Sequence, residues 1–100
     1  MKESYIYILS NKNRTVFYTG VTGNLTNRMS RHIEGKGSKF CKKYNVRELI
    51  YFETFIDIRD AISREKEIKG WRREKKLALI KRRNPDLKNL LDKGKGELRD

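Results

Sequence analysis

The chain has 100 residues, of which 25 are Lys or Arg and 13 are Asp or Glu, giving a net charge of +12 at pH 7. This length allows one domain with a modest core and excludes a second domain of ordinary size. Residues 28–47 carry seven bases and one acid, and residues 64–83 carry ten bases and three acids. Two such segments predict nucleic acid as the partner rather than a membrane surface, because neither has a broad apolar face free of the core.

Hydropathy and cysteine usage narrow the class further. No stretch approaches the ~20 apolar residues of a membrane span, and the first residues enter a strand pattern instead of a signal sequence. We therefore expect a cytoplasmic protein with no membrane partner. Cys41 is the only cysteine and stands apart from any cluster of metal-ligand residues, so we expect a buried thiol and neither a disulfide nor a zinc site.

The first predicted element is a β-hairpin. Residues Tyr5–Ser10 alternate aromatic and β-branched side chains, and Val16–Val21 resumes the pattern after the polar residues 11–14. A four-residue loop would pair Ser10 with Thr15 across the hairpin.

That register places two tyrosines side by side. It brings Tyr7 directly opposite Tyr18 on one face of the sheet. Most tyrosines in strands serve only packing, so the pair alone does not establish a chemical role. Gly20 lies on the same face as Tyr18, which predicts open space beside the Tyr18 phenol.

A helix is predicted next, from Leu25 to about residue 34, with Asn24 as its N-cap and Gly35 after its end. Arg28 and His32 lie one turn apart beside its apolar stripe, so both should face whatever the helix packs against. A solvated arginine and a histidine satisfied by a backbone group are the ordinary explanations. Together the two side chains would form a phosphate grip.

A basic loop and a third strand follow. Residues 35–39 form a flexible basic loop that leads into a short helical segment ending near Tyr44. Its lysines and backbone amides suit phosphate, although the loop matches no specific phosphate-binding motif. Glu48–Phe55 is apolar on both faces and is predicted as a well-covered third strand.

The next helix contains an anomalous carboxylate. Glu65 lies in the middle of an apolar arc at helical spacing, whose other members are Ile58, Ala61, Ile62 and Ile68. Burying an unpaired carboxylate costs several kcal/mol. Two explanations stay open: Glu65 holds a metal ion or a bound basic group, or it lies at the rim of the core and pairs with Arg28, Arg64 or another base.

The last predicted helix covers residues 72–83 and ends before Pro85. Leu87, Leu90 and Leu91 are expected to dock against the domain, and residues 92–100 to form a flexible charged tail. The pattern as a whole predicts a mixed α/β (α+β) domain over residues 1–91, with a small central three-stranded antiparallel sheet flanked by helices.

These residues together resemble the GIY-YIG nuclease superfamily, and in particular its small stand-alone bacterial members, which share the run REKEIKGW of residues 64–71. The similarity extends from residue 4 to about residue 91. The matching elements, in order, are Tyr5-Ile6-Tyr7, Tyr18-Thr19-Gly20, Arg28, His32 and Glu65.

The sequence departs from the family pattern in three places. The first motif reads Tyr-Ile-Tyr in place of Gly-Ile-Tyr, and the second reads Tyr-Thr-Gly in place of Tyr-Ile-Gly. Both departures keep the tyrosines and the final glycine. The family's excision-repair nucleases carry an Asn about twelve residues after the Glu, where this chain has Leu77, so a supporting contact is missing or supplied elsewhere.

The resemblance implies a metal-dependent endonuclease acting on structured or damaged DNA, as in DNA repair, with one Mg²⁺ or Mn²⁺ and no small-molecule cofactor. Glu65 would hold the metal. Tyr18 would take or relay the proton of the attacking water, and Tyr7 would orient that water. Arg28 would neutralise charge developing on the phosphate, and His32 would be a second donor or a proton relay.

The two basic segments would hold the flanking backbone of the nucleic acid. The residues expected to do so are Lys36, Lys39, Lys42, Lys43, Lys69, Arg72, Arg73, Lys75 and Lys76. Two other functions stay open: a catalytically weak or inactive nucleic-acid-binding module of the same fold, and an adaptor that recruits a larger assembly through its basic helices.

Overall fold

The computed structural model describes residues 2–91 and Leu98. Its sheet has three antiparallel strands, β1 (Ser4–Ser10), β2 (Phe17–Thr22) and β3 (Glu48–Phe55), in the order β2-β1-β3. The predicted three-stranded α/β fold is therefore confirmed. β1 is central, and its residues from Ile6 to Ser10 are all buried.

Four helices flank the sheet, and capping residues set where three of them begin. The Asn24 side chain accepts a hydrogen bond from the Asn27 amide at 3.0 Å, and Ser38 and Asp57 cap two other helices in the same way. A side-chain cap therefore fixes each of these starts to one residue. The helices are α1 (Leu25–Ile33), α2 (Lys39–Tyr44), α3 (Ile58–Lys69) and α4 (Arg73–Arg83).

Alternation along β1 divides the core into two clusters, one on each face of the sheet. Tyr7 and Leu9 pack with α1 and α2, which contribute Leu25, Met29 and Cys41. On the opposite face Ile6 and Ile8 pack with α3 and α4, which contribute Ala61, Ile68 and Ile80. The thiol of Cys41 is buried, as predicted, and burial raises its pKa.

The hairpin register differs from the prediction by two residues. Ser10 pairs with Phe17 and not with Thr15. The loop is longer because the Asn11 side chain folds it, its Oδ1 accepting hydrogen bonds from the amides of Thr15 and Val16 at 2.9 and 3.1 Å.

As a result Tyr7 lies opposite Gly20 and not opposite Tyr18, which pairs with Leu9. A shift of two residues preserves the side-chain alternation. Tyr7 and Tyr18 therefore remain on the same face of the sheet, as diagonal neighbours.

The predicted cover of the third strand holds for only part of its length. Leu49, Ile50 and Tyr51 are buried, but Thr54 is exposed and Phe55 only half-buried. β3 is an edge strand, with β1 on one side only.

The segment after α4 packs on both sides of the sheet. Leu90 and Leu91 join the cluster around Tyr7, and Leu87 joins the cluster around Ile6, as predicted. The predicted flexible tail of residues 92–100 lies outside the described residues except for Leu98, which forms an isolated bridge with Leu91. Within the described part of the chain, none of the helices is long and apolar enough to cross a membrane.

Candidate active site

The phenol of Tyr7 fills the space above Gly20. A methyl group added at Gly20 would lie 2.9 Å from Cε1 of Tyr7 and closer still to the phenol oxygen. Only glycine therefore lets the Tyr7 ring cross β2 at this point. The prediction of open space beside the Tyr18 phenol is wrong, because the Tyr7 ring occupies that space.

Three rings meet on this face of the sheet. The ring centroids of Tyr7 and Tyr18 are 6.4 Å apart, and the imidazole of His32 lies 6.1 Å from the first and 6.2 Å from the second. The diagonal hairpin register and the α1 helix together produce this contact. The structure thus brings together three of the five residues predicted for catalysis.

His32 is 3% exposed, and neither of its ring nitrogens has a hydrogen-bond partner among the described residues. The ordinary explanation, a histidine satisfied by a backbone group, therefore does not apply there. Burial, followed by the charges of Arg28 and Arg31, lowers the pKa of His32. The imidazole is consequently neutral at pH 7, with one donor and one acceptor nitrogen that no described residue satisfies.

Gly37 closes over His32. A methyl group at Gly37 would lie 2.7 Å from Cε1 of the imidazole. The basic loop predicted to hold phosphate therefore packs its backbone directly on the histidine, an arrangement that the loop's composition alone did not indicate.

The Tyr7 phenol stays protonated. Burial is the main cause that raises its pKa, with Tyr18 second, and the charge of Glu65 adds to the effect while that of Arg28 opposes it. Tyr7 can therefore donate a hydrogen bond but cannot serve as a base near neutral pH. The charges of Glu65 and Arg28 both reach this phenol.

Glu65 lies on the buried line of α3, between Ala61 and Ile68, with its side chain 13% exposed. The predicted burial is confirmed for Ala61 and Ile68, while Glu65 is only partly buried. The prediction is wrong for Ile58 and Ile62, which are 44% and 39% exposed. The buried arc is narrower than predicted because only this line of α3 faces the sheet.

The base that pairs with Glu65 is Lys69, whose Nζ lies 2.9 Å from its Oε2 and whose side chain is 51% exposed. Arg64, considered above as a partner, pairs with Glu53 and Glu67 instead. The described residues contain no group of three or more His, Cys, Asp or Glu that could hold a metal. A single carboxylate fits Mg²⁺ or Mn²⁺ if water and phosphate oxygens complete the coordination.

Arg28 faces a basic cavity and not the sheet. The buried residues of α1 are Leu25, Met29 and His32, whereas Arg28 is exposed. The prediction that both Arg28 and His32 face what the helix packs against therefore holds for His32 only. Arg28 lies at the edge of the buried stripe, where its long side chain reaches solvent. The cavity has a volume of about 520 Å³ and is lined by Thr22, Asn24, Asn27, Arg28, Arg31, Lys36, Gly37 and Ser38.

Sequence reasoning missed Arg31 as a site residue. Arg31 lies three residues after Arg28, a spacing that places both guanidinium groups on one side of a helix. This i, i+3 pair of arginines was the signal available in the sequence.

The other predicted nucleic-acid contacts fall into two groups. Lys36, Lys39, Lys42 and Lys43 are exposed around α2 and the cavity. On α4, Arg73 lies 4.3 Å from the centroid of the Phe17 ring and donates to the backbone oxygen of Thr15 at 3.1 Å. Arg73 thus fastens α4 to the hairpin. Among the remaining predicted contacts, Lys69 pairs with Glu65, and Lys75 lies over the Trp71 ring. Arg72 is exposed and Lys76 is half-buried.

A second polar cluster lies on the α3 face of the sheet. The Tyr51 hydroxyl donates to Glu53 at 2.5 Å, and Arg64 donates to both Glu53 oxygens at 3.0 and 3.1 Å. Burial alone would raise the pKa of Glu53, but the hydrogen bonds from Arg64 and Tyr51 outweigh it and lower that pKa. Burial and the bonded Glu53 raise the pKa of Tyr51 to about 12.

The sequence profile of the GIY-YIG catalytic domain matches residues 3–78, which include the three-ring cluster, Arg28 and Glu65. The chain belongs to the GIY-YIG family. This is a nuclease-type family, whose substrates are nucleic acids.

The chain is similar in sequence to several UPF0213 proteins of comparable length. It is 40% identical over 86 residues to a UPF0213 protein of Pediococcus pentosaceus, covering 86% of this chain and 90% of the relative. A UPF0213 protein of Clostridium perfringens is 43% identical over 77 residues, covering 77% and 82%. The solution NMR structure of a UPF0213 protein from Bacillus halodurans has 30% identity and a TM-score of 0.56, covering 87% and 92%.

Proposed function

We propose that this protein is a divalent-metal-dependent endonuclease that hydrolyses phosphodiester bonds of structured or damaged DNA. The observation that carries the proposal is the meeting of two phenols and a neutral, unpaired imidazole beside a basic cavity. A purely structural cluster would pair its buried polar atoms. This one leaves both imidazole nitrogens without a partner among the described residues, next to a surface suited to phosphate.

Hydrolysis forms a bond between a water oxygen and phosphorus and breaks the bond to the leaving nucleotide oxygen. Tyr18 takes the proton of the attacking water or passes it on. Tyr7, which stays protonated, orients that water as a hydrogen-bond donor. His32, being neutral, can accept a proton at one nitrogen and donate at the other, which suits a relay.

Charge on the phosphate is met by two kinds of group. Arg28, with Arg31 beside it in the cavity, neutralises the charge that develops on the phosphate oxygens. Glu65 would hold Mg²⁺ or Mn²⁺, and the bound cation would supply Lewis-acid stabilisation of the phosphate. In the free protein the Lys69 ammonium provides the compensating charge for Glu65.

The proposal is tested by comparing two isosteric changes on α3. Glu65→Gln should lower metal-dependent cleavage by about 1,000-fold, because losing a charge that stabilises the transition state costs a factor of this order. Its stability should change by less than about 1 kcal/mol, since the Lys69 partner is half-exposed. Glu67→Gln, which removes an exposed carboxylate two residues away, should retain cleavage.

The measurement is nicking of single-stranded, branched and nicked DNA and of RNA, with Mg²⁺, Mn²⁺ or EDTA, together with thermal melting. Equal activity of the two variants would refute the role of Glu65. Activity of the wild-type protein in EDTA would refute the metal requirement.

Binding to nucleic acid should depend steeply on salt. If six to eight phosphates are neutralised, log K for duplex DNA should fall against log salt with a slope of roughly −5 to −7. The measurement is fluorescence anisotropy at several NaCl concentrations in EDTA. A flat response would instead support an adaptor that binds a protein partner.

The Glu65–Lys69 ion pair favours one alternative, a nucleic-acid-binding module with little or no turnover. A carboxylate already neutralised by a side chain gains less from binding a cation. This alternative predicts the same steep salt dependence but no metal-dependent nicking by the wild-type protein, so the cleavage assay separates the two functions.

A further inference from the structure

A row of aromatic rings runs outward from the candidate active site. The Tyr18 ring stacks on Phe40 with centroids 6.0 Å apart and planes 29° apart, and Phe40 contacts Tyr44 at 4.9 Å. Tyr18 is half-buried, whereas the two outer rings are more exposed, Phe40 at 42% and Tyr44 at 43%. The row therefore begins at a proposed catalytic phenol and ends in rings open to solvent.

Core packing does not account for the two outer rings. The residue of α2 that enters the core is Cys41, and neither Phe40 nor Tyr44 is part of the two core clusters formed by the described residues. Because they are four residues apart, they share the outer side of this short helix. Exposure alone does not select these rings, because Ile58 is as exposed. What distinguishes Phe40 and Tyr44 is that their rings contact each other and continue to Tyr18.

The charges around these rings select the kind of ligand. Residues 35–47 contain five bases and no acid. Lys39, Lys42 and Lys43 are exposed on α2, and the Lys43 Nζ lies 5.3 Å from the centroid of the Tyr44 ring. Bases stacking on the rings would bring phosphates to these lysines. An apolar protein segment would leave the same cations unneutralised.

We propose that Phe40 and Tyr44 form a stacking site for unpaired bases of the strand whose phosphate enters the candidate active site. The bases must be unpaired, because within a duplex both faces of each base are already covered by its neighbours. The inference rests on the proposed function for the position of the phosphate. It names the substrate class as single-stranded or flapped nucleic acid, in preference to blunt duplex.

The test is binding in EDTA, where no cleavage occurs. Anisotropy is measured with labelled single-stranded DNA and RNA of one sequence, a blunt duplex of the same length, and a duplex with a single-stranded flap. Phe40→Ala and Tyr44→Ala should each weaken binding to the single strands and the flap by roughly 5- to 100-fold, with less than about a twofold effect on the blunt duplex. The single-stranded DNA and RNA arms show which nucleic acid supplies the bases.

Matched variants separate stacking from general surface effects. Ile58 is equally exposed, at 44%, and Ile58→Ala should leave every affinity unchanged. Phe40→Trp should retain binding, whereas Phe40→Leu, which keeps apolar area without an aromatic face, should not. If Phe40→Ala disturbs the candidate active site, Tyr44→Ala still tests the stacking site, because it leaves the Tyr18–Phe40 contact in place.

Equal losses for duplex and single strand, full binding by Phe40→Leu, or no loss in either alanine variant would each overturn the inference. Failure of the proposed function has a different signature. If the wild-type protein binds single strands through these rings but never cleaves with metal, the stacking site stands and the nuclease falls. If the wild-type protein cleaves with metal while the aromatic variants bind like wild type, the nuclease function is supported and the stacking site is refuted.

Discussion

Two polar clusters lie on opposite faces of the same sheet, and they differ in how completely their polar groups are paired. On the α3 face Tyr51, Glu53 and Arg64 hydrogen-bond to one another, with both carboxylate oxygens occupied. On the α1 face Tyr7, Tyr18 and His32 are close in space, yet the two imidazole nitrogens have no partner among the described residues.

The difference separates groups that stabilise the fold from groups that are available for chemistry. In the paired cluster, Arg64 of α3 bonds both oxygens of Glu53 on β3, and its removal leaves Oε1 without a donor. The pair therefore fastens α3, the helix that carries Glu65, to the sheet. In the unpaired cluster, donor and acceptor capacity remains for a ligand. The comparison predicts that substitutions on the two faces affect different measurements.

The largest expected effect is on the unpaired face. Tyr18→Phe should lower metal-dependent cleavage by at least about 100-fold, the scale of lost general acid–base catalysis. The free energy of unfolding should change by less than about 1 kcal/mol, because only one hydroxyl is removed. The measurements are single-turnover cleavage and chemical denaturation.

Tyr5→Phe is the matched control for this change, since Tyr5 is a half-buried tyrosine on the same face of the sheet that packs on Phe52 at 6.5 Å. The Tyr5→Phe variant should keep full cleavage activity. If both variants lose activity to the same extent, the hydroxyl of Tyr18 has no special role.

The next effect should appear on the paired face and in stability alone. Arg64→Met should destabilise the fold by about 2 kcal/mol, because it strands the mostly buried Glu53 carboxylate, whose side chain is 15% exposed. Cleavage under conditions where the variant is folded should be retained. Stability is measured as the denaturation midpoint, and activity as the cleavage rate under conditions well below that midpoint.

Arg59→Met removes an arginine from the same helix whose pair with Asp57 is open to solvent. This control should leave the midpoint essentially unchanged. An Arg64→Met protein that is as stable as the control would contradict the structural role assigned to the paired cluster.

The smallest expected effect is the dependence of the free energy of unfolding on pH. The two faces of the sheet should show it in different pH ranges. The folded pKa of His32 is below its ordinary value of 6.5, so the unfolded chain protonates first and stability falls as pH drops below 6.5. The slope should reach at most about 1.4 kcal/mol per pH unit. His32 is the only histidine, so His32→Phe should remove this slope.

The paired face should respond only at lower pH. The folded pKa of Glu53 is below its ordinary value of 4.5, so its stabilisation is complete above 4.5 and is lost as pH falls through the folded value. Denaturation from pH 8 to pH 3 measures both windows. A His32→Phe protein with the wild-type slope between pH 6.5 and 5 would show that the imidazole is not buried neutral.

Local patterns in the sequence were sufficient for the elements and for part of the site. Asn24 caps α1 at its predicted start because capping depends on neighbouring backbone groups. The place of Glu65 on the sheet-facing side of α3 followed from helical periodicity, and the shared face of Tyr7 and Tyr18 followed from strand alternation. These inferences depend only on spacing along the chain.

Tertiary packing decided the rest. The exact hairpin register depended on how the Asn11 side chain folds its loop, and the space above Gly20 on a ring from the neighbouring strand. The partner of Glu65 and the outward direction of Arg28 depended on which surfaces α3 and α1 present to the sheet. Contacts between residues distant in sequence are set by the sum of all packing energies, and spacing within one segment does not encode that sum.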